Sequence, residues 1–128
     1  LRGRGDVDLM MPYERFDAWQ AAHRLVLNVY ASTQKWPKDE WYGLRSQLRR
    51  AAASVPTNIA EGSAKRGPRE FRRYLDISIG SLSEVAYHLH LGRDLGYLTV
   101  QRWSDLNQLR EQTSKLLWRL AESVGNRR

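Results

Sequence analysis

A chain of 128 residues with 41% apolar and 27% charged side chains fits one folded domain with a real core, and is not the composition of a disordered polymer. It holds no cysteine, which excludes disulfides, zinc–thiolate centres and iron–sulfur clusters. The net charge of +7 gains meaning only when it is located along the chain.

Residues 1–10 stand apart. Arg2, Gly3, Arg4 and Gly5, followed by Asp6 and Asp8, carry no periodicity, and Met10 and Met11 offer a natural start. They are read as a disordered leader or an expression remnant, with residues 11–128 as the domain. No apolar run approaches the roughly eighteen residues that span a bilayer. The N-terminus also lacks the apolar region of a signal peptide, so the cytoplasm is the expected compartment.

Four segments then show helical periodicity. In the first, Trp19, Ala22, Val26, Val29, Thr33 and Trp36 step by three and four to make one stripe, which Leu25 and Tyr30 widen. Pro37 stops it, and residues 36–43 form a turn. The second stripe runs through Leu44, Leu48, Ala51 or Ala52, Val55 and Ile59. Pro56 lies inside it and predicts a kink. Gly62 and Gly67 close that helix, and Pro68 suits the first position of the next, with Glu70 in its first turn.

The third stripe is the most regular: Phe71, Leu75, Ser78, Leu82, Val85, Leu89 and Gly92, ending near Gly96 as a C-terminal cap. Thr99 is the predicted N-cap of a fourth helix carrying Trp103, Leu106, Thr113, Leu117, Leu120 and Val124. Four amphipathic helices with short connections predict an all-α fold, an antiparallel up-down-up-down four-helix bundle. Ile77, Ser81, Glu84, His88 and Leu91 are placed opposite the core stripe of the third helix, and Trp118 off the stripe of the fourth. Ile77, Ser81, His88, Leu91 and Trp118 are therefore the candidates for a homo-oligomer interface.

No catalytic constellation can be assembled. Residues 62–67 begin like a phosphate-binding loop, but Pro68 and Arg69 stand where Lys and Ser or Thr are needed, and a helix precedes them instead of a strand. Glu84 and His88 are four apart, yet a di-iron bundle needs such pairs on two helices plus further glutamates. Residues 80–84 match only the first half of a nucleophile elbow, and they lie mid-helix. His23 and His90 have no evident acid–base partner. Neither a metal nor a cofactor nor a small-molecule substrate is implied.

The basic residues are the stronger signal. Residues 44–73 carry eight cations (Arg45, Arg49, Arg50, Lys65, Arg66, Arg69, Arg72 and Arg73) against Glu61 and Glu70, and so hold nearly all of the net charge. Arginine outnumbers lysine 17 to 4 over the chain, which favours bidentate recognition of phosphate or carboxylate. These side chains are expected to converge on one corner between two helices and to bind nucleic acid there. The bland alternatives are a solvated charged surface, or arginines paired with acids across a subunit boundary.

One resemblance is specific, because several motifs occur in order over about residues 14–124. The run SQLRRAAASVPTNIAEG at 46–62 resembles the signature of the proteins encoded in 23S rRNA intervening sequences, also called S23 ribosomal proteins. EFRRYL at 70–75, GSLSE at 80–84, LGYL at 95–98 and FDAWQ at 16–20 extend the match. The resemblance implies a four-helix bundle assembled as a homopentamer, and no settled activity; the family name reflects where the genes lie in some bacteria. A relative, the accessory variability protein of diversity-generating retroelements, is a basic pentameric bundle that engages nucleic acid and a reverse transcriptase. That favours the electropositive reading by analogy. Arg49 and Arg50 fall on the family's paired basic positions, while Pro56, Asn58, Glu61 and Gly62 match its turn or kink. Asn58 and Glu61 are expected to bond backbone groups freed by Pro56. Together these observations predict a non-enzymatic oligomer that binds RNA or DNA phosphates, with a protein-interaction scaffold as the alternative.

Overall fold

The computed structural model describes residues 11–125; the expected leader at 1–10 lies outside the described residues. Four helices make up the fold: α1 (Asp17–Ser32), α2 (Leu44–Ser63), α3 (Pro68–Asp94) and α4 (Val100–Gly125). Short 3₁₀ turns at Pro12–Arg15 and Lys38–Glu40 precede α1 and α2. Each helix packs on the next, and α1 closes the ring against α4. No strand occurs among the described residues.

The stripes read from the sequence meet in one core. Leu25 and Val29 of α1, Leu48, Val55 and Ile59 of α2, Leu75, Val85 and Leu89 of α3, and Leu106, Leu117 and Val124 of α4 are fully enclosed. Each such side chain contributes about 1.5–3 kcal/mol over an exposed one. Ala51 and Ala52 of α2, and Ala18, Ala21 and Ala22 of α1, are buried too, so the helices approach closely. Gly62 is the extreme case: an added Cβ would lie 2.7 Å from Tyr74 Cβ and 2.9 Å from Phe71 Cδ1.

Helix ends follow the local chemistry. Pro68 opens α3 after Gly67, and Gly96 at φ +81° ends it, a left-handed position that glycine takes without strain. Thr99 Oγ1 accepts the Arg102 N–H at 3.0 Å, as expected of an N-cap. The first helix stops at Ser32, short of Pro37. Thr33 turns its hydroxyl back to the Val29 carbonyl at 2.9 Å, and Thr33 and Trp36 complete the buried stripe from outside the helix.

α2 runs through Pro56 as one helix. Around it, Ser78 Oγ of α3 donates to the Val55 carbonyl at 2.9 Å, and the Ser54 and Ser81 hydroxyls meet at 2.8 Å. Asn58 Nδ2 donates to the Ser54 carbonyl at 2.8 Å. Proline at 56 frees the carbonyl four residues earlier, at Ala52, so Asn58 does not serve the expected group. Glu61 is exposed.

The surface assigned to the far side of α3 needs correction. Ser81 and His88 are 9% and 7% exposed, held inside the single chain, and Leu91 is half-buried against the core. A residue three past a stripe position lies only about 60° around the helix from it, so Ser81 and His88 flank the stripe instead of opposing it. Only Ile77, 42% exposed, and Trp118, 48% exposed, remain as open apolar groups from that set. Glu84 is exposed and His88 is buried, with His88 Nδ1 unpartnered, so these two do not form a pair.

Candidate functional site

The cations of residues 44–73 do not share one corner. Arg45 and the end of α2 at Ser63 are eighteen residues apart on a single helix, about 27 Å at 1.5 Å per residue. Arg45, Arg49 and Arg50 therefore stand at the start of α2. Lys65, Arg66, Arg69, Arg72 and Arg73 gather around the α2–α3 turn at the other end.

The first group lines an open groove of about 620 Å³. Its wall is the outer face of α2, where Ser46, Arg50, Ala53, Ser54, Thr57 and Asn58 recur at helical spacing beside Arg45 and Arg49. Tyr30 of α1 and Trp41 and Tyr42 of the connection complete it. Among the described residues, no Asp or Glu lines the groove.

Sequence patterning explains how this wall is held. Trp41 is fixed by its indole N–H, which donates to the Trp36 carbonyl at 3.1 Å. Arg45 lies over the Trp41 ring at 4.5 Å, and Arg49 over the Tyr30 ring at 4.4 Å, both within cation–π range. Arg49 is also tied to α1: its Nε donates to Thr33 Oγ1 at 2.9 Å and its Nη2 to the Tyr30 carbonyl at 3.1 Å. Burial, with the Arg45 charge adding to it, lowers the Arg49 pKa from its ordinary value. Arg50 projects into solvent, and Tyr42 is 96% exposed.

The Glu40 carboxylate, beside the start of α2, is committed elsewhere. Glu40 Oε1 accepts the Leu44 N–H at 3.2 Å at the start of α2, and Glu40 Oε2 accepts the Tyr97 hydroxyl at 3.0 Å. The hydrogen bond to Glu40 raises the Tyr97 pKa above its usual value, with burial adding to the effect.

At the far end the cations are largely engaged. Arg72 Nη1 donates to the Ala121 carbonyl at 2.9 Å, joining α3 to α4, and its Nε meets Asp76 at 3.2 Å. Arg73 pairs with Glu70 at 3.3 Å, which raises its pKa, and lies over the Tyr74 ring that Lys65 also approaches. Arg66 and Arg69 are exposed.

Tyr30, Trp41 and Tyr42 were missed by the sequence reading, which placed Tyr30 on a core stripe and the other two in a turn. The available signal was aromatic residues interleaved with arginines, the usual companion of a nucleic-acid-binding basic patch. Of the histidines without an evident partner, His90 in fact meets Asp94 at 3.0 Å on the surface, and His23 stacks on Trp19 at 5.0 Å. Among the described residues, no group of three or more His, Asp or Glu is placed to hold a metal, and no helix is long and apolar enough to cross a membrane.

The model of the 23S rRNA-intervening sequence protein family matches residues 14–119. No curated protein matches the chain. Among solved structures, a protein of unknown function from the S23 ribosomal protein family of Bacteroides thetaiotaomicron is similar at a TM-score of 0.73 and 19% identity. The match covers 81% of this chain and 97% of that one, and establishes a shared fold. Neither description names a catalytic activity. With the family model spanning most of its length, the chain belongs to the 23S rRNA-intervening sequence protein family.

Proposed function

We propose that this chain is a non-enzymatic, cytoplasmic protein that binds nucleic acid through phosphates at the start of α2, as an antiparallel four-helix bundle acting in an oligomer. One observation carries the reading: Arg45, Arg49 and Arg50 share an open groove that, among the described residues, no carboxylate lines. Like charges one turn apart, as at Arg45 and Arg49, repel, and an incoming anion removes that cost. Arg45 and Arg50 supply the donors. Arg49, already bound to Thr33 and Tyr30 through two nitrogens, keeps Nη1 for a phosphate oxygen. Pentameric assembly, the state implied by the resemblance, would multiply such contacts by avidity; Ile77 and Trp118 are the exposed apolar groups that support self-association.

The test is a mobility-shift assay with labelled RNA and DNA, run on the double variant Arg45→Glu/Arg50→Glu. Among the described residues neither side chain makes a hydrogen bond or ion pair, so helicity by circular dichroism should persist while binding is lost. A matching change at the other end, Arg66→Glu/Arg69→Glu, should weaken binding far less. Unchanged binding by the first variant removes the proposal. Loss of the oligomer in that variant, read by light scattering, favours the rival: a protein-interaction scaffold whose arginines serve subunit contacts.

A further inference from the structure

We infer that the groove at the start of α2 takes a single-stranded polynucleotide, whose unpaired bases stack on the aromatic rim while Arg45 and Arg50 hold its phosphates. This rests on the nucleic-acid reading above and narrows it.

Phosphate binding alone needs only cations, and a duplex offers them nothing else at its surface unless a groove is entered. The wall at α2 carries more than cations. Tyr42 holds its ring 96% open to water beside three arginines. Trp41 is clamped through its indole nitrogen, so its plane is set before a ligand arrives. The guanidinium of Arg45 lies over that indole, 4.5 Å from its centre, and adds a cationic group of planar shape to the same place. Arg49 on Tyr30 repeats the arrangement one turn away.

An aromatic face, a guanidinium plane and phosphate donors within one groove match what unpaired bases use. In a duplex the base faces are buried against one another and cannot reach Tyr42. Ser54 and Thr57 give the groove hydroxyls at its far end, although Thr57 Oγ1 donates to the Ala53 carbonyl and Ser54 Oγ is shared with Ser81 and Asn58. Both are turned to the protein, which leaves these two side chains little part in reading base identity. Binding should tolerate sequence.

The experiment measures fluorescence anisotropy of end-labelled RNA and DNA homopolymer oligonucleotides, single-stranded and as duplexes of equal length, over a salt series. Single strands are expected to bind more tightly than duplexes. Tyr42→Ala should weaken single-strand binding roughly five- to 150-fold, the range for loss of one base–aromatic stack. Its salt slope should stay as it was, because no phosphate contact is lost. Tyr42→Trp should bind as well as the parent chain. Arg50→Ala should instead lower the slope by about 0.7, one phosphate on a single strand. Tighter binding of RNA or of DNA names the polymer, and either supports the inference. Equal affinity for duplex, or indifference to Tyr42→Ala while Arg50 still matters, overturns the stacking and leaves phosphate binding standing. Absence of binding to every oligonucleotide overturns both.

Discussion

The two ends of α2 carry similar charge and opposite circumstances. At its start, Arg45 lies against Trp41 and Arg49 against Tyr30, with the exposed Arg50 beside them, and among the described residues no carboxylate lines their groove. At its finish, Arg72 and Arg73 are satisfied by Asp76, Glu70 and the Ala121 carbonyl. The difference is one of employment. A guanidinium that closes a carbonyl at a helix end is part of the scaffold, and a guanidinium stacked on a ring without an acid is positioned for something from outside. Net charge counts both alike; only the partners tell them apart.

Substitutions at the far end should act on stability first. Gly62→Val places a side chain where Tyr74 Cβ stands 2.7 Å away, and that atom cannot rotate aside because it is bonded to the α3 backbone. The helices must part, at a cost of about 3 kcal/mol, read as a lowered urea midpoint. Binding by the fraction that remains folded should be normal. Arg72→Ala comes next, with a loss of about 2 kcal/mol for a charge-assisted bond to a part-buried carbonyl. A normal urea midpoint for Arg72→Ala would mean that the far cluster is not scaffold, and the contrast between the ends would dissolve.

Arg49 tests the boundary between the two kinds. It belongs to the open groove, yet it bonds to Thr33 and to the Tyr30 carbonyl. Arg49→Ala should therefore cost about 1–2 kcal/mol, while Arg45→Ala and Arg50→Ala should stay within about 0.5 kcal/mol of the parent chain. Arg49→Lys should not restore the loss, since an ammonium cannot bridge two acceptors in the geometry of a planar fork. Equal stability of all three alanine variants would show that Arg49 is as free as its neighbours.

Much of the fold was legible because burial follows helical spacing: Leu75, Ser78, Leu82, Val85, Leu89 and Gly92 all lie inside, as their three-and-four rhythm requires. Gly96 and Thr99 were readable as caps for equally local reasons. What failed were inferences that need distance. Ser81 and His88 were assigned to an outer face, but a helix flanked by two neighbours buries a broad arc, and both residues fall within it. The basic run was read as one corner because its members are contiguous in sequence. The length of one intervening helix separates its two ends, and nothing in a charge count reports that length. Tyr30 adjoins Val29 and so reads as part of the core stripe, and Tyr42 follows Trp41 in a turn, yet both rings are exposed.

The smallest effect concerns an acid at the start of α2. Tyr97 donates to Glu40 Oε2, and Glu40 Oε1 accepts the Leu44 N–H, so this carboxylate is held between two elements and away from Arg45. The bond to Glu40 raises the pKa of Tyr97 in the folded chain above its ordinary value of 10.0. Folding therefore gains from the neutral phenol. That gain is complete below the unfolded pKa and disappears as pH climbs through the raised folded one, because the unfolded chain then releases its proton first. Urea midpoints taken between about pH 8 and pH 11 should fall at the alkaline end, and should fall less in Tyr97→Phe. The same variant leaves Glu40 Oε2 without its donor, and a carboxylate in the turn just before α2 is then free to pair with Arg45. Nucleic-acid binding at neutral pH should weaken slightly in Tyr97→Phe and recover in Tyr97→Phe/Glu40→Gln, where no charge is left to compete. If the single variant binds as tightly as the parent chain, Tyr97 does no more than pin the loop, and the absence of acid from the groove owes nothing to it.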